Sequence, residues 1–359
     1  MTARRIATLV VALVLGGAAG LAQAPTRALK VLVLCDMEGV SGATDYRHTT
    51  FIHTPEYTVG RKALTADVNA AIAGLKAGGA GEIVVVDGHG SGNTSGPDVY
   101  EEQLLAPAKM IARSSAFDIY MDSYDQSIDA VVAIAMHAGA GNQAGFLSHT
   151  YTFEDVQYRV NGVPFNETMI LAMGASRMKI PLIMTSGDDQ FEKEVRRNLP
   201  WVKVAQVKRA IDRSKAEPFA ADEVARRIEA AAREALSDIV KAELPAPSAS
   251  YRFALTFQDE QQARNASLLP LAELQSDALT VQIRAGDFEE GYRRSLQLIR
   301  LAGVVSGGTT ARTVLAGRLP GAEMGTALTD AAYDRFLNRV PGPPSATGPQ
   351  TAQRFWGAR

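Results

Sequence analysis

Short runs of apolar residues recur along the chain, and each ends in a carboxylate or a histidine. Residues 31–35 (Val-Leu-Val-Leu-Cys) form the first run, and residues 83–86 and 130–136 form two more. Runs of this length that are rich in leucine and β-branched residues are typical of buried strands. Helix-length segments separate them, and Thr54-Pro55 supplies the N-cap and the first-position proline that open a helix. Strands that alternate with helices predict an α/β fold with a parallel or mixed sheet flanked by helices.

Polar side chains follow each of these three runs. Asp36 and Glu38 come directly after the first, His89 follows the second and His137 follows the third. Asp36 and Glu38 are two positions apart, so their side chains point the same way if the extended chain continues. Parallel strands end at one edge of a sheet, which is where open α/β proteins bind ligands. Neighbouring carboxylates repel each other without a proton or a cation between them, and the histidines favour the cation.

Histidine and carboxylate together suit Zn²⁺. His149 is a third histidine at or just after a strand end. It stands beside serine, whereas His89 stands beside glycine and His137 beside alanine. A single histidine in a loop is more often not a ligand. Two histidines that follow buried strands, at an edge that already holds two carboxylates, are better candidates for metal ligands.

Two further residues keep alternative roles at this point. Glu167 stands in the first turn of a helix that Asn166 caps, where a carboxylate can ligate a metal or simply complement the helix dipole. Cys35 lies inside the first strand on the face opposite Asp36, which favours a small buried apolar residue over a metal ligand.

The second half of the chain predicts a smaller α+β unit. Asn161-Gly162 suits the turn of a β-hairpin, and the Pro-Ala-Pro-Ser stretch at 245–248 is a linker. Beyond the linker, residues 251–257 and 280–284 alternate apolar and polar positions, as half-exposed strands do. The predicted division is a signal peptide at 1–24, a metal-binding α/β catalytic domain at 28–243 that can include part of the smaller domain, the smaller C-terminal portion at 249–306, and an extra, partly disordered tail at 307–359.

The first residues have the pattern of a secretory signal peptide. Arg4 and Arg5 precede an apolar core at 6–15, and Ala22-Gln23-Ala24 forms an A-x-A cleavage box. The apolar stretch is shorter than the roughly 20 residues of a membrane span, which disfavours an uncleaved anchor. We expect an exported protein, periplasmic or secreted, without a stable membrane anchor after cleavage.

Composition narrows the classes of partner. The formal net charge is −2, so nothing points to nucleic acid. The chain has 1 cysteine and therefore cannot form an internal disulfide in an oxidising compartment.

A series of short motifs occurs in a fixed order over most of the chain. They are Asp36-Met37-Glu38-Gly39-Val40-Ser41-Gly42, Asp87-Gly88-His89, Met136-His137-Ala138, Leu147-Ser148-His149-Thr150, Asn166-Glu167, Gly187-Asp188-Asp189, Val207-Lys208 and Arg213-Ser214. Together they resemble the zinc-dependent D-aminopeptidases of the kind encoded in dipeptide-transport operons. The resemblance covers roughly residues 29–303, and only the signal peptide and the tail depart from it.

The resemblance implies a site with two zinc ions per chain. Asp36 would bridge the metals, Glu38 and His89 would complete one site, and the other would use the two residues His137 and Glu167. His149 matches the catalytic histidine, which is not a ligand in the family. The implied fold is a phosphorylase-like α/β domain with a smaller C-terminal domain, and the implied assembly is a homodecamer.

The function expected from the resemblance is hydrolysis of short peptides with an amino-terminal D-residue, such as D-Ala-D-Ala, by metal-activated water attack on the scissile carbonyl. One alternative is a two-metal amidase or phosphoesterase acting on peptidoglycan fragments, although no glycine-rich phosphate loop precedes a helix with the required spacing. The other is a non-catalytic zinc- or peptide-binding module, which would need the ligands but not His149.

Overall fold

Helices and strands alternate along the residues that the structure describes. This computed structural model describes residues 27–49, 55–89, 96–112, 119–316 and 321–338. The predicted signal peptide at 1–24 therefore lies outside the described residues. The strands are β1 (Leu29–Cys35), β2 (Ala80–Asp87), β3 (Ala108–Met110), β4 (Ala130–Ile134), β5 (Asp155–Val160), β6 (Val163–Pro164), β7 (Leu182–Asp188), β8 (Lys203–Ala210), β9 (Ala216–Pro218), β10 (Tyr251–Phe257), β11 (Glu273–Leu274) and β12 (Thr280–Ala285). The α-helices are α1 (Pro55–Ala77), α2 (Ile119–Asp122), α3 (Glu167–Ser176), α4 (Asp189–Asn198), α5 (Ala221–Ser237), α6 (Glu260–Ala266), α7 (Phe288–Ala316) and α8 (Gly321–Leu337).

The larger sheet has the strand order β3-β2-β1-β4-β7-β8-β9. Neighbouring strands in it are parallel, except that β9 runs antiparallel to β8. In register, Cys35 of β1 pairs with Asp87 of β2 and with Ile134 of β4. The residues that follow these three strands therefore meet at one edge. The predicted α/β fold with a mixed sheet is confirmed.

Both faces of this sheet are covered, which explains the uninterrupted apolar run of β1. Leu32 and Leu34 face a core that includes Ile170 of α3. Val33 faces the opposite core, which includes Leu64 of α1 together with side chains of α5. Because strand side chains alternate, burial on both faces requires an apolar residue at every position.

The smaller sheet has the order β11-β12-β10-β5-β6 and is antiparallel. The predicted hairpin is present: β5 and β6 flank Asn161 and Gly162, whose φ angles are 50° and 85°. Both positive values are those of a type I′ turn. The hairpin pairs with β10 from beyond the 245–248 linker, so the smaller sheet takes strands from either side of that linker.

The C-terminal part is more helical than its sequence pattern indicates. The helix expected over 288–301 continues to Ala316, and α8 occupies residues that were expected to form the tail. The Pro/Gly/Ser-rich part of that tail, at 341–348, lies outside the described residues. In the described part of the chain, no helix combines the length and the apolar character needed to cross a membrane.

Candidate metal centre

The loop after β1 is fixed tightly against the end of β4. The Asp36 amide donates to the Ile134 carbonyl at 2.9 Å, and the Gly39 amide donates to the Ala135 carbonyl at 2.8 Å. A Cβ at Gly39 would lie 1.9 Å from the Met136 carbonyl oxygen, so only glycine permits this approach. The loop therefore presents Asp36 and Glu38 at a defined place on the sheet edge.

The three strand ends bring the predicted ligands together. His137 Nε2 lies 3.3 Å from Asp36 Oδ2 and 3.5 Å from Glu167 Oε1, and His89 Nε2 lies 3.6 Å from Glu38 Oε1. Two groups of ligand atoms result, and within each group all atoms lie within 4.8 Å of one another. The first group is Asp36, Glu38 and His89, and the second is His137, His149 and Glu167. Asp36 also contacts His137 and thus joins the two groups.

Backbone carbonyls fix the tautomers of two histidines. His137 Nδ1 lies 3.0 Å from the Ala138 carbonyl, and His149 Nδ1 lies 2.7 Å from the Leu147 carbonyl. A carbonyl oxygen only accepts, so each Nδ1 carries the proton. In the neutral ring the lone pair is then on Nε2, which in both residues faces Glu167. A lone pair that faces a carboxylate is the arrangement of two ligands of one cation.

His89 is oriented by a carboxylate. Its Nδ1 lies 2.7 Å from Asp98 Oδ2, while the other Asp98 oxygen accepts a short hydrogen bond from the Tyr57 hydroxyl. Asp98 is fully buried. A carboxylate behind a metal-binding histidine fixes the ring and raises its basicity. This pair therefore directs His89 Nε2 toward Glu38.

Glu167 is held at both oxygens. Oε2 accepts a short hydrogen bond from the Tyr120 hydroxyl, and Oε1 accepts from the Tyr151 amide at 2.6 Å. Its position at the start of α3 follows from Asn166, whose side chain accepts from the Met169 amide as the N-cap. Glu167 therefore complements the helix and also faces the two histidines, so the helix-dipole alternative does not exclude a place in the site.

His149 differs from the other two histidines. Its ring stacks on His137 with 4.1 Å between centroids and 11° between planes. Its Nε2 lies 3.8 Å from Glu167 Oε1, farther than His137 Nε2. Burial, followed by the neighbouring His137, lowers the pKa of His149 to about 4. The ring is therefore neutral near pH 7.

The electrostatics of the centre favour a cation. Burial, followed by the Glu38 carboxylate, raises the pKa of Asp36 to about 7. Burial opposes protonation of His137, but the nearby Glu167 and Asp36 carboxylates outweigh it and raise the pKa of this histidine. Among the described residues, Glu38 Oε2 and His137 Nε2 have no hydrogen-bond partner although both atoms are buried. Buried polar atoms without partners, next to clustered carboxylates that favour positive charge, fit a bound divalent metal.

Sequence reasoning missed several residues that support the site. Asp98 contacts His89 from nine positions further along the chain, Tyr120 contacts Glu167 across 47 positions, and neither stands in a motif. Lys208 belongs to a quoted motif, but its contacts appear only in the structure: its ammonium donates to the backbone carbonyl of Glu38 at 2.6 Å. The same strand carries Lys203, Gln206 and Arg209 at half-buried or exposed positions, so its sequence pattern gave no signal that Lys208 is buried.

The fold and the site define a hydrolase of the metal-dependent α/β class. Comparison of the chain with known protein families identifies its family. The family model described as D-aminopeptidase matches residues 29–296. The chain belongs to this D-aminopeptidase family. The family, the fold and the peptidase class expected from the sequence are therefore confirmed.

One relative is known both as a protein and as a structure. The D-aminopeptidase of Bacillus subtilis (strain 168) is 28% identical over 276 residues, which are 76% of this chain and 98% of the relative. A solved structure described as the Zn-dependent D-aminopeptidase DppA from Bacillus subtilis, a self-compartmentalizing protease, aligns with a TM-score of 0.71 at 28% identity. That alignment covers 76% of this chain and 98% of the solved one.

Proposed function

We propose that this protein is an exported zinc metallopeptidase that holds two zinc ions and removes an amino-terminal D-residue from short peptides such as D-Ala-D-Ala. The observation that carries the proposal is the pair of buried ligand groups, joined by Asp36, at the sheet edge of a D-aminopeptidase family member. The Bacillus subtilis relative is described as zinc-dependent, which supports the choice of metal.

The ligands divide into two sets. Glu38 and His89 would hold one zinc ion, His137 and Glu167 the other, and Asp36 lies where it would contact both. When bound, the two metals polarise the scissile carbonyl and lower the pKa of water far enough for attack near neutral pH. Asp98 and Tyr120 hold His89 and Glu167 in place, so the chain sets the ligand geometry before the metal arrives.

His149 is the proposed catalytic residue. Its proton on Nδ1 is committed to the Leu147 carbonyl, which leaves Nε2 available on the side that faces Glu167. A neutral imidazole in this position can accept a proton from the attacking water and return it to the leaving amine. Its short hydrogen bond to the backbone keeps the ring in this orientation.

Export and assembly complete the proposal. The basic segment, apolar core and A-x-A box at 1–24 support export to the periplasm or medium. Since the relative is described as self-compartmentalizing, we propose a homo-oligomer, with the decamer as the specific state. Such an assembly would restrict the site to short peptides.

The decisive experiment combines metal content with stereoselective hydrolysis. Zinc per chain is measured on the mature protein, and cleavage of D-Ala-D-Ala and L-Ala-L-Ala is compared before and after chelation. We expect about two zinc ions per chain and chelator-sensitive cleavage that prefers the D-peptide. Zinc without cleavage would favour the binding module, and activity that survives complete zinc removal would contradict the proposal.

His149→Ala tests the catalytic assignment. Loss of a general base typically reduces the rate by about 10²–10⁴-fold, and we expect kcat for D-Ala-D-Ala to fall within this range while both zinc ions stay bound. Metal analysis and kcat are measured on the same preparation. If His149→Ala lost zinc in proportion to activity, His149 would be a ligand instead.

A further inference from the structure

Helix α8 lies outside the residues that define the family, because the family model ends at residue 296. Two of its side chains are nevertheless buried: Tyr333 is 2% exposed and Phe336 is 3% exposed. They stand three positions apart and so share one face of the helix. This face packs on the metal centre.

Phe336 contacts the His149 side of the centre. Its ring meets the His149 ring edge to face, with 5.9 Å between centroids and 86° between planes. It also stacks on Phe153 at 4.2 Å, and Phe153 contacts His149 at 5.3 Å. The Arg213 guanidinium carbon lies 4.3 Å from the centroid of the Phe336 ring. His149 is left with 8% exposure.

Tyr333 fastens the helix to the segment that follows the acidic loop, which is the loop after β1 that carries Asp36 and Glu38. Its ring stacks on Tyr46 with 4.5 Å between centroids, and the Tyr46 hydroxyl donates to Asp330 at 2.6 Å. Burial, followed by the Glu38 carboxylate, raises the pKa of Tyr333, as expected for a phenol close to that loop. Thus α8 is held at Tyr46 and, through Phe336, beside His149.

We propose that α8 forms a fixed wall of the substrate pocket and that Tyr333 and Phe336 limit the length of the peptide that reaches His149. This inference rests on the proposed function, since it names the residues that select the substrate at the same site. Aromatic side chains fill large volumes and move only at the expense of their packing. A dipeptide ends one residue past the scissile bond, and under this proposal the further residues of a longer peptide extend into the space that the wall occupies.

The test removes the wall and compares two substrates. The double variant Tyr333→Ala/Phe336→Ala is assayed with D-Ala-D-Ala and with the tetrapeptide of D-alanine. We expect the ratio of kcat/KM for the tetrapeptide to kcat/KM for the dipeptide to rise about tenfold or more, as for other steric pocket contacts. Asp334→Ala is the control, because Asp334 is an exposed residue of the same helix that contacts Asn338.

Two kinetic outcomes would overturn the inference. An unchanged ratio would show that α8 does not select by length. An equal gain for both peptides would show that α8 obstructs the site without discriminating between substrates.

A second readout separates this inference from the proposed function. Carbethoxylation of His149 by diethyl pyrocarbonate, followed by peptide mass spectrometry, reports access to the site whether or not the protein hydrolyses peptides. We expect faster modification in the double variant than in Asp334→Ala. If the wild type cleaves neither peptide, the proposed function fails, and the modification rate then tests whether α8 closes off His149: a faster rate in the double variant supports this part of the inference, and an unchanged rate overturns it.

A milder variant covers the case in which the double variant does not fold by circular dichroism. Asp330→Asn weakens the attachment to Tyr46 without creating a cavity, and Asp334→Asn is its matched control. A higher tetrapeptide-to-dipeptide ratio together with faster His149 modification in Asp330→Asn supports the wall. The same values in the two variants overturn it.

Discussion

The buried ammonium of Lys208 supports the backbone of the acidic loop. It donates to the backbone carbonyls of Glu38, Val40 and Ala43 at 2.6, 3.0 and 3.1 Å. Its Nζ also lies 4.2 Å from the centroid of the Phe146 ring. Lys208 comes from β8, so one side chain connects this strand to the loop after β1, which lies three strands away in the sheet.

Lys208→Met should destabilise the protein by at least about 3 kcal/mol, since each buried carbonyl that loses its donor costs about 1–3 kcal/mol. The measurement is urea unfolding followed by circular dichroism. Lys203→Met is the control, because Lys203 pairs with Glu234 near the surface, and such changes typically stay within about 0.5 kcal/mol. Equal midpoints for the two variants would contradict the role given to Lys208.

The pH dependence of His149 follows from its burial. Burial, then His137, lowers the pKa of His149 to about 4 in the folded protein, whereas an unfolded-chain histidine titrates near about 6.5. As the pH falls, the unfolded chain therefore binds this proton first. The stability associated with neutral His149 is complete above about pH 6.5 and is lost as the pH falls through about 4.

NMR titration of the histidine ring nuclei, on protein whose metal has been removed by a chelator, measures the pKa of His149 directly. We expect a midpoint near pH 4 for the signal that disappears in His149→Gln. The variant should also lose less stability than the wild type between about pH 6.5 and 4. A wild-type midpoint at or above about 6.5 would contradict the expected shift.

At the scale of elements, the acidic loop holds Asp36 and Glu38 in place because β1 and β4 end side by side. Gly39→Ala should disturb this junction, as the added Cβ would meet the Met136 carbonyl oxygen at 1.9 Å. Overpacking of this kind costs about 1–3 kcal/mol or more, and the displaced loop should bind zinc more weakly. Melting temperature and zinc per chain measure the two effects.

Gly286→Ala provides the matched control for that substitution. The nearest atom to a Cβ at Gly286 is Glu290 Oε2 at 3.9 Å, so the extra methyl has room. If Gly39→Ala had the same melting temperature and zinc content as the wild type, the loop would accommodate the methyl group and the close approach would not be required.

At the scale of the whole molecule, exposed apolar residues indicate where subunits would meet. Leu268 and Leu271, which lie between α6 and β11, are 75% and 84% exposed. The two leucines are three positions apart in the chain, and contiguous exposed apolar patches are typical of protein interfaces. We therefore place a contact of the proposed decamer at this segment.

Leu268→Glu/Leu271→Glu should lower the molar mass in light scattering relative to a wild-type mass of about ten chains, because charge is costly to bury in a subunit contact. Val240→Glu is the control, since Val240 is 90% exposed at a different place in the chain. A monomeric wild type would contradict the assembly, and an unchanged mass in the double variant would move the contact elsewhere.

Local pattern was enough to predict the central strands and the residues at their ends. A strand buried on both faces must be apolar throughout, and a polar residue directly after it must lie at the sheet edge. For this reason Asp36, His89 and His137 could be placed from the sequence. The turn at Asn161-Gly162 was equally local, because it depends on two residues that tolerate positive φ.

The sequence by itself thus determined the class of fold, the family and the side chains that meet at the sheet edge. Only the tertiary structure decided that Asp98 orients His89, that Lys208 supports the acidic loop and that α8 covers His149. None of these contacts forms within a single helix or strand, and no periodicity encodes which separate segments of the chain pack together. Helix α8 illustrates the difference: its residues were expected to form the tail, because the partners that bury Tyr333 and Phe336 exist only after the chain has folded.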